Sequence, residues 1–239
     1  PYFDSFPLVS TRDLANSLEL LRTHLKIDSI HTLIGGSLGG QVALEWAYLL
    51  GNKLQHVITV AATAKTSPWV IGFNEAQRMA IASDSTWGQP QEDAGSKGLE
   101  AARAMAMLSY RNPQDLNAKQ QETTDKLDGF LASSYLRYQG AKLTKRFNAF
   151  SYWTLTKAMD SHDIGRGRGG VEMALKSIQA QVFAVGVNSD LLFLAEEARF
   201  LSQAVPSGSY GEIVSKAGHD AFLIEFTQLT SLIEEFYRS

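Results

Sequence analysis

Between positions 30 and 50 the chain reads IHTLI, then GGSLGG, then QVALEWAYLL. A short branched run that stops at glycine and resumes at once with helical spacing predicts a strand feeding a helix through a turn too tight for side chains. The only polar side chain in that hinge is Ser37. Gly35-Gly36-Ser37-Leu38-Gly39 fits G-x-S-x-G, and the predicted strand, turn and helix supply the context the pattern needs. There the serine occupies a strained backbone conformation at the tip of the turn, which exposes its Oγ at the helix amino terminus. Ser37 is thus a candidate nucleophile, and the Leu38 N–H a candidate donor to a developing oxyanion. The competing reading is a purely structural glycine turn.

Around this hinge the fold class is α/β. Four runs rich in branched residues, 30–34, 56–61, 181–187 and 210–214, have little polar alternation, as expected of parallel strands covered on both faces. STRDLANSLELLRTHL opens with a capping signal and sets Leu14, Leu18, Leu21 and Leu25 on one stripe, predicting a helix packed on the sheet. Alternating strands and helices imply a layered fold with right-handed crossovers. Over a hundred residues then separate the second and third strands. The division is a core of 1–64 and 179–239 with a helical, aromatic insertion over 65–178. Either that insertion packs on the sheet without chemistry, or it forms a cap or lid over the carboxyl ends of the strands, where open parallel sheets place their ligands. GRGRGG, 165–170, reads as a mobile loop back to the core, or as a phosphate contact through Arg166 or Arg168.

Composition narrows the function classes. A net charge of -3 gives no electrostatic reason for a nucleic acid or an anionic membrane as partner. Cysteine is absent, which removes thiolate nucleophiles, thiolate metal sites and disulfides. No run approaches a membrane span and the first residues lack a signal-peptide pattern, so a cytoplasmic protein is expected.

A serine nucleophile needs a base. Of the five histidines, His24 falls in the first helix, His31 and His56 at the amino ends of strands and His162 near the end of the insertion. His219 follows the last strand in EIVSKAGHDAFL and is expected to open the final helix. VFAVGVNSD sets Asp190 at the carboxyl tip of the third strand. Ser37, Asp190 and His219 stand in the chain order of the α/β-hydrolase triad. The alternatives are a helix N-cap for Asp190 and a loop position for His219.

Longer segments carry a more specific likeness. FPLVSTRDLANSLELLRTHLKIDSIHTLIGGSLGGQVALEWA, FNEAQR, SYLRYQGAKLTKRFNAFSYWTLTKAMDSHDIGRGRGG, NSDLLF and GHDAFLIE resemble the homoserine O-acetyltransferases of methionine biosynthesis, nearly end to end. The resemblance implies an α/β-hydrolase fold with a helical cap and Ser37, Asp190 and His219 as the triad. It further implies Arg103, Tyr110 and Asp220 as residues that hold the amino-acid acceptor. A guanidinium suits a carboxylate, and a carboxylate suits an ammonium. Acetyl-CoA is then a co-substrate, with no permanently bound cofactor and no metal, L-homoserine the acceptor, and a homodimer joined through the helical cap the expected assembly. A succinyl donor, a serine acceptor or an esterase activity would use the same residues. Only 36 residues precede Ser37. The likeness is therefore to the carboxyl-terminal two-thirds of a family member, with the amino-terminal strands and the loop for a second oxyanion N–H absent from this chain. A non-catalytic fragment is the reading from another class.

Overall fold

In the computed structural model, which describes residues 2–238, the chain builds ten α-helices among the described residues. They are α1 (Thr11–His24), α2 (Leu38–Leu50), α3 (Pro68–Ala82), α4 (Ser96–Tyr110), α5 (Pro113–Lys119), α6 (Leu131–Thr144), α7 (Ala149–Asp160), α8 (Val171–Lys176), α9 (Ala195–Ala204) and α10 (Phe226–Arg238). Four strands, β1 (Ile30–Gly36), β2 (Leu54–Val60), β3 (Gln181–Val187) and β4 (Gly208–Ile213), form one sheet in the order β1-β2-β3-β4, and every pair is parallel. Parallel pairing aligns the strands so that their carboxyl ends lie along one edge. Gly36 pairs with Val60, Val60 with Val185, and Val187 with Ile213.

The weak polar alternation of the strands follows from burial on both faces. Val57, Val182 and Ala184 pack with Leu44, Ala47 and Leu50 of α2 and Leu201 of α9. The intervening Ile58, Phe183 and Val185 face the other way, against Leu229, Leu232 and Phe236 of α10. Burying a side chain of that size contributes roughly 1.5 to 3 kcal/mol, so these two layers hold the sheet between helices.

Helix α1 begins where expected, with Ser10 and Asp13 closing a reciprocal capping box. Its buried face differs from the leucine stripe. Thr11, Ala15 and Arg22 are buried, whereas Leu21 and Leu25 are more than half exposed. The helix meets α2 rather than the sheet alone, and a small residue, Ala15, permits that approach. Trp46 of α2 donates to Glu19, and Glu19 also pairs with Arg22.

The insertion is helical throughout α3 to α8. Ile81, Leu99, Ala102, Leu143 and Ala149 form its own apolar centre, while Val70 and Phe73 of α3 pack against Leu192 and Phe193 just beyond β3. GRGRGG, read from sequence as a mobile loop or alternatively a phosphate contact, has both of its arginines engaged within the chain. Arg168 is nearly buried, 2.8 Å from the buried Glu45 and over the Tyr48 ring at 3.7 Å. Arg12 reaches the same carboxylate at 3.1 Å, and Arg166 donates to the Ser161 carbonyl. Gly167, Gly169 and Gly170 take φ of 69°, 79° and 103°, which is the conformational reason for the glycines. Among the described residues, no helix is long and apolar enough to cross a membrane.

Candidate active site

At the end of β1, Ser37 has φ 54° and ψ -127°, an unfavourable region for a residue with a side chain. Backbone bonds hold it there. Its N–H donates to the Val60 carbonyl at 2.9 Å, and its carbonyl accepts from Gly40 and Gln41 as α2 begins. The hinge glycines divide the work unevenly. A Cβ on Gly35 would overlap the Gly39 carbonyl, one on Gly36 would lie 2.6 Å from the Phe222 ring, and one on Gly40 2.6 Å from Ala62. Gly39, the second glycine of the pattern, faces nothing within 4 Å, so the close approaches of the hinge fall on Gly35, Gly36 and Gly40. The Leu38 N–H is the first amide of α2 and has no intrahelical acceptor, which leaves it for an anion beside Ser37.

The histidine and the acid converge on this serine from beyond the ends of β4 and β3. Ser37 Oγ lies 2.9 Å from His219 Nε2, and His219 Nδ1 lies 2.7 Å from Asp190 Oδ2. Asp190 and His219 are each only 4% exposed, so the pair is shielded from water. The other oxygen, Asp190 Oδ1, accepts from the N–H groups of Leu192 and Phe193 at 2.8 and 3.1 Å. The N-cap-like contact and the contact to histidine therefore coexist on one carboxylate. With both carboxylate oxygens bonded, the ring is fixed with Nδ1 as donor and Nε2 toward the serine, the tautomer a general base requires. His219 does not open the final helix as expected. It sits in a 3-10 turn, Gly218–Leu223, and α10 starts only at Phe226. The cause is local: Gly218 has φ 69°, and a Cβ there would lie 2.7 Å from the Tyr110 carbonyl oxygen and 2.8 Å from the Asn112 nitrogen.

The insertion supplies the roof. The Tyr110 ring lies 5.5 Å from that of His219, and the Arg103 guanidinium lies 5.3 Å from the Tyr110 centroid, one face of α4 bringing both together. Asp220 joins them from the 3-10 turn. Burial pushes the Tyr110 phenol up, with the Asp220 charge adding to the effect and Arg103 opposing it. Two residues of this neighbourhood carried no sequence signal. Arg111 lies 3.4 Å from Asp220, and Tyr152, its phenol raised by burial and by Tyr110, donates to Gln77. The other histidines lie elsewhere. His162 is 1% exposed, bonded to Thr11 and the Thr63 carbonyl, and burial lowers it to about 4. His31 and His56 pack on each other and on Tyr237. Among the described residues, no group of three or more His, Asp or Glu side chains could hold a metal ion.

A serine hydroxyl held by a buried imidazole and carboxylate, beneath mixed charges, is an arrangement suited to covalent acyl transfer. Comparison with known proteins agrees with that chemistry. Residues 4–226 match the α/β-hydrolase fold family. The chain is 60% identical over 237 residues to homoserine O-acetyltransferase of Cyclobacterium marinum, covering 99% of this chain and 68% of that protein. It thus spans about two thirds of that relative's length. A crystal structure of homoserine O-acetyltransferase from Staphylococcus aureus superposes with a TM-score of 0.83 at 29% identity, over 99% of this chain and 67% of that one. An acetylester hydrolase from Corynebacterium glutamicum shares the fold alone, with a TM-score of 0.85 at 18% identity over 98% of this chain and 69% of that one.

Proposed function

We infer that this chain, which belongs to the homoserine O-acetyltransferase family on the α/β-hydrolase fold, moves an acetyl group from acetyl-CoA to the side-chain hydroxyl of L-homoserine. The observation that carries the reading is the unbroken relay from Ser37 through His219 to Asp190, with contacts of 2.9 and 2.7 Å. His219 removes the Ser37 proton as Oγ attacks the thioester carbonyl, and the oxyanion takes the Leu38 N–H. Collapse expels the thiolate, which takes that proton from His219 and leaves as coenzyme A, so the imidazole is neutral again. The homoserine hydroxyl then gives its proton to His219 and attacks the acetyl-serine. His219 returns that proton to Ser37, and O-acetyl-L-homoserine departs.

Acceptor binding is assigned to the roof. Arg103 suits the amino acid's carboxylate in a bidentate fork, Asp220 its ammonium, and Tyr110 donates from a phenol that burial keeps protonated. The division into a core, 1–64 and 179–239, and a cap, 65–178, serves the mechanism by shielding the acetyl-serine from water. We further assign the reaction to the cytoplasm, with no resident cofactor, and the assembly to a homodimer joined through the cap.

Intact mass after brief exposure to acetyl-CoA tests the covalent step. The wild-type protein gains one acetyl group that homoserine discharges, and Ser37→Ala gains none and loses thioester cleavage and transfer together. Near-normal turnover by Ser37→Ala, or an adduct that homoserine leaves untouched, would refute the assignment.

A further inference from the structure

The sheet stops short of the relay. The last pair of the β3–β4 ladder is Val187 with Ile213, whereas Asp190 and His219 lie on the two loops beyond it. Sheet pairing alone therefore leaves their separation undetermined. What joins the loops is a run of three consecutive side chains. Asn188 Oδ1 accepts from Ser215 N–H at 2.9 Å, Ser189 Oγ from Gly218 N–H at 3.0 Å, and Asp190 Oδ2 from His219 Nδ1–H at 2.7 Å. The Asp190 N–H donates to the Val187 carbonyl, so the first loop turns back on itself. The second loop has its own brace, because Ser215 Oγ donates to Glu225 and accepts from the Ala217 N–H.

We propose that Ser189, supported by Asn188, is a positioning residue that sets the distance and angle between His219 and Asp190, and so the pointing of Nε2 at Ser37. The Ser189 contact falls on the residue immediately before His219. Gly218 has little room to retreat. On its far side it rests against the backbone of Tyr110, Arg111 and Asn112, close enough that even a methyl group would collide. Ser189 also ties the insertion to the loop through its main chain, its carbonyl accepting from Asn112 Nδ2 at 3.5 Å. Gly218 is thereby clamped between the Ser189 hydroxyl and the α4–α5 joint, with His219 attached. Removing the hydroxyl deletes one jaw of that clamp and leaves a buried N–H without its acceptor. The relay's own bond and the more distant Asn188–Ser215 contact then have to hold the two loops.

The inference rests on the triad reading, and Asp190→Asn is included so that the two can fail separately. Single-turnover acetylation of Ser37 by acetyl-CoA is measured across pH in the intact protein, with the unfolding midpoint and the low-field proton resonance of His219 Nδ1–H recorded in parallel. Ser189→Ala is expected to acetylate about ten- to a hundredfold more slowly, since small displacements of reacting groups carry penalties of that size. Its concentration dependence on acetyl-CoA stays within about threefold of wild type, and the Nδ1–H resonance moves upfield or is lost to exchange. Ser189→Thr, which keeps the acceptor, restores rate and resonance. If Ser189→Ala proves too unstable to assay, Asn188→Ala, one contact further from the relay, shows the same pattern at smaller amplitude. Wild-type acetylation and an unmoved resonance in folded Ser189→Ala, or in folded Asn188→Ala where that variant stands in, overturn the proposal. An unimpaired Asp190→Asn refutes the triad and the inference with it, whereas a crippled Asp190→Asn beside an unimpaired Ser189→Ala refutes the positioning role alone.

Discussion

Replacing Arg168 by alanine tests whether the GRGRGG segment is held by its glycines or by its charges. The Glu45 carboxylate is 2% exposed and Arg168 lies 2.8 Å away with an 8% exposed side chain, so water screens this pair little. A hydrogen bond between charged groups in such a place is worth about 1.5 to 3 kcal/mol. The guanidinium also covers Tyr48 at 3.7 Å. That stacking adds about 1 kcal/mol. Arg12 stays 3.1 Å from the same carboxylate, which prevents the larger loss of about 3 to 5 kcal/mol expected when a buried charge is orphaned. The net expectation for Arg168→Ala is about 3 kcal/mol of lost stability, or roughly 6 to 12 °C in Tm for a chain of this size. Denaturant unfolding of the single variants and of the pair with Glu45→Gln should return a coupling of about 2 kcal/mol. Arg166→Ala, an exposed side chain whose guanidinium bonds the Ser161 carbonyl and acts on Asp163 only at longer range, should stay within about 0.5 kcal/mol of wild type. If Arg168→Ala behaves like Arg166→Ala, the buried pair contributes nothing net and the loop is fixed by backbone geometry.

Arg103→Ala and Asp220→Ala should each lower kcat/KM for homoserine by the equivalent of about 2 to 4 kcal/mol while Ser37 acetylation stays within about threefold, because only the acceptor carries the charges they are proposed to hold. Equal losses in both half-reactions would make them architectural. His162 supplies a pH signature. Burial, with smaller contributions from Arg12 and Arg168, holds its pKa at about 4 against an ordinary 6.5, while the Thr63 carbonyl and Asp163 oppose the shift. The folded state therefore resists a proton that the unfolded chain accepts. Stability is complete above pH 6.5 and falls as pH drops toward 4, by about 3 kcal/mol. Unfolding curves of His162→Gln should be flatter across that window, and parallel curves would refute the assignment.

The strands were legible because burial on both faces leaves a local record, an unbroken branched run, and the elbow because a serine among glycines admits few backbones. Asp190 and His219 were legible because chain order and strand ends confine where a partner can stand. Other features depended on contacts that no local window contains. The burial of Ala15 in place of Leu21 and Leu25 is decided by α2 and Trp46, not by the helix's own pattern. Arg168 reads as solvent-facing until Glu45, far earlier in the chain, is placed beneath it. Gly40, rather than Gly39, is closely approached because Ala62, two residues beyond β2, lies against it. Arg111 and Tyr152 acquire meaning only when Asp220 and Gln77 meet them in space.

Transfer and hydrolysis are separated by what stands over the relay, since an acetyl-serine reacts with any hydroxyl that His219 can deprotonate. On the proposed reading, the charges of the roof supply the discrimination. Among the described residues Arg103 has no carboxylate partner, and its guanidinium rests against the Tyr110 ring. Asp220 by contrast is already matched, to Arg111. The site thus offers one cation to an incoming carboxylate and one carboxylate whose present partner an incoming ammonium would displace or share. Only a zwitterion satisfies both terms, and water satisfies neither. The raised phenols of Tyr110 and Tyr152 fit the same logic, because groups kept protonated by burial can only donate or accept hydrogen bonds and add no charge of their own. An amino alcohol held at its carboxylate and ammonium presents its hydroxyl to Nε2 as an intramolecular group, with the gain in effective concentration that tethering brings. If Arg103 and Asp220 hold the acceptor as proposed, the insertion selects the acceptor and the core performs the chemistry. The residues that separate acyl transfer from hydrolysis then belong to α4 and the His219–Asp220 turn rather than to the elbow.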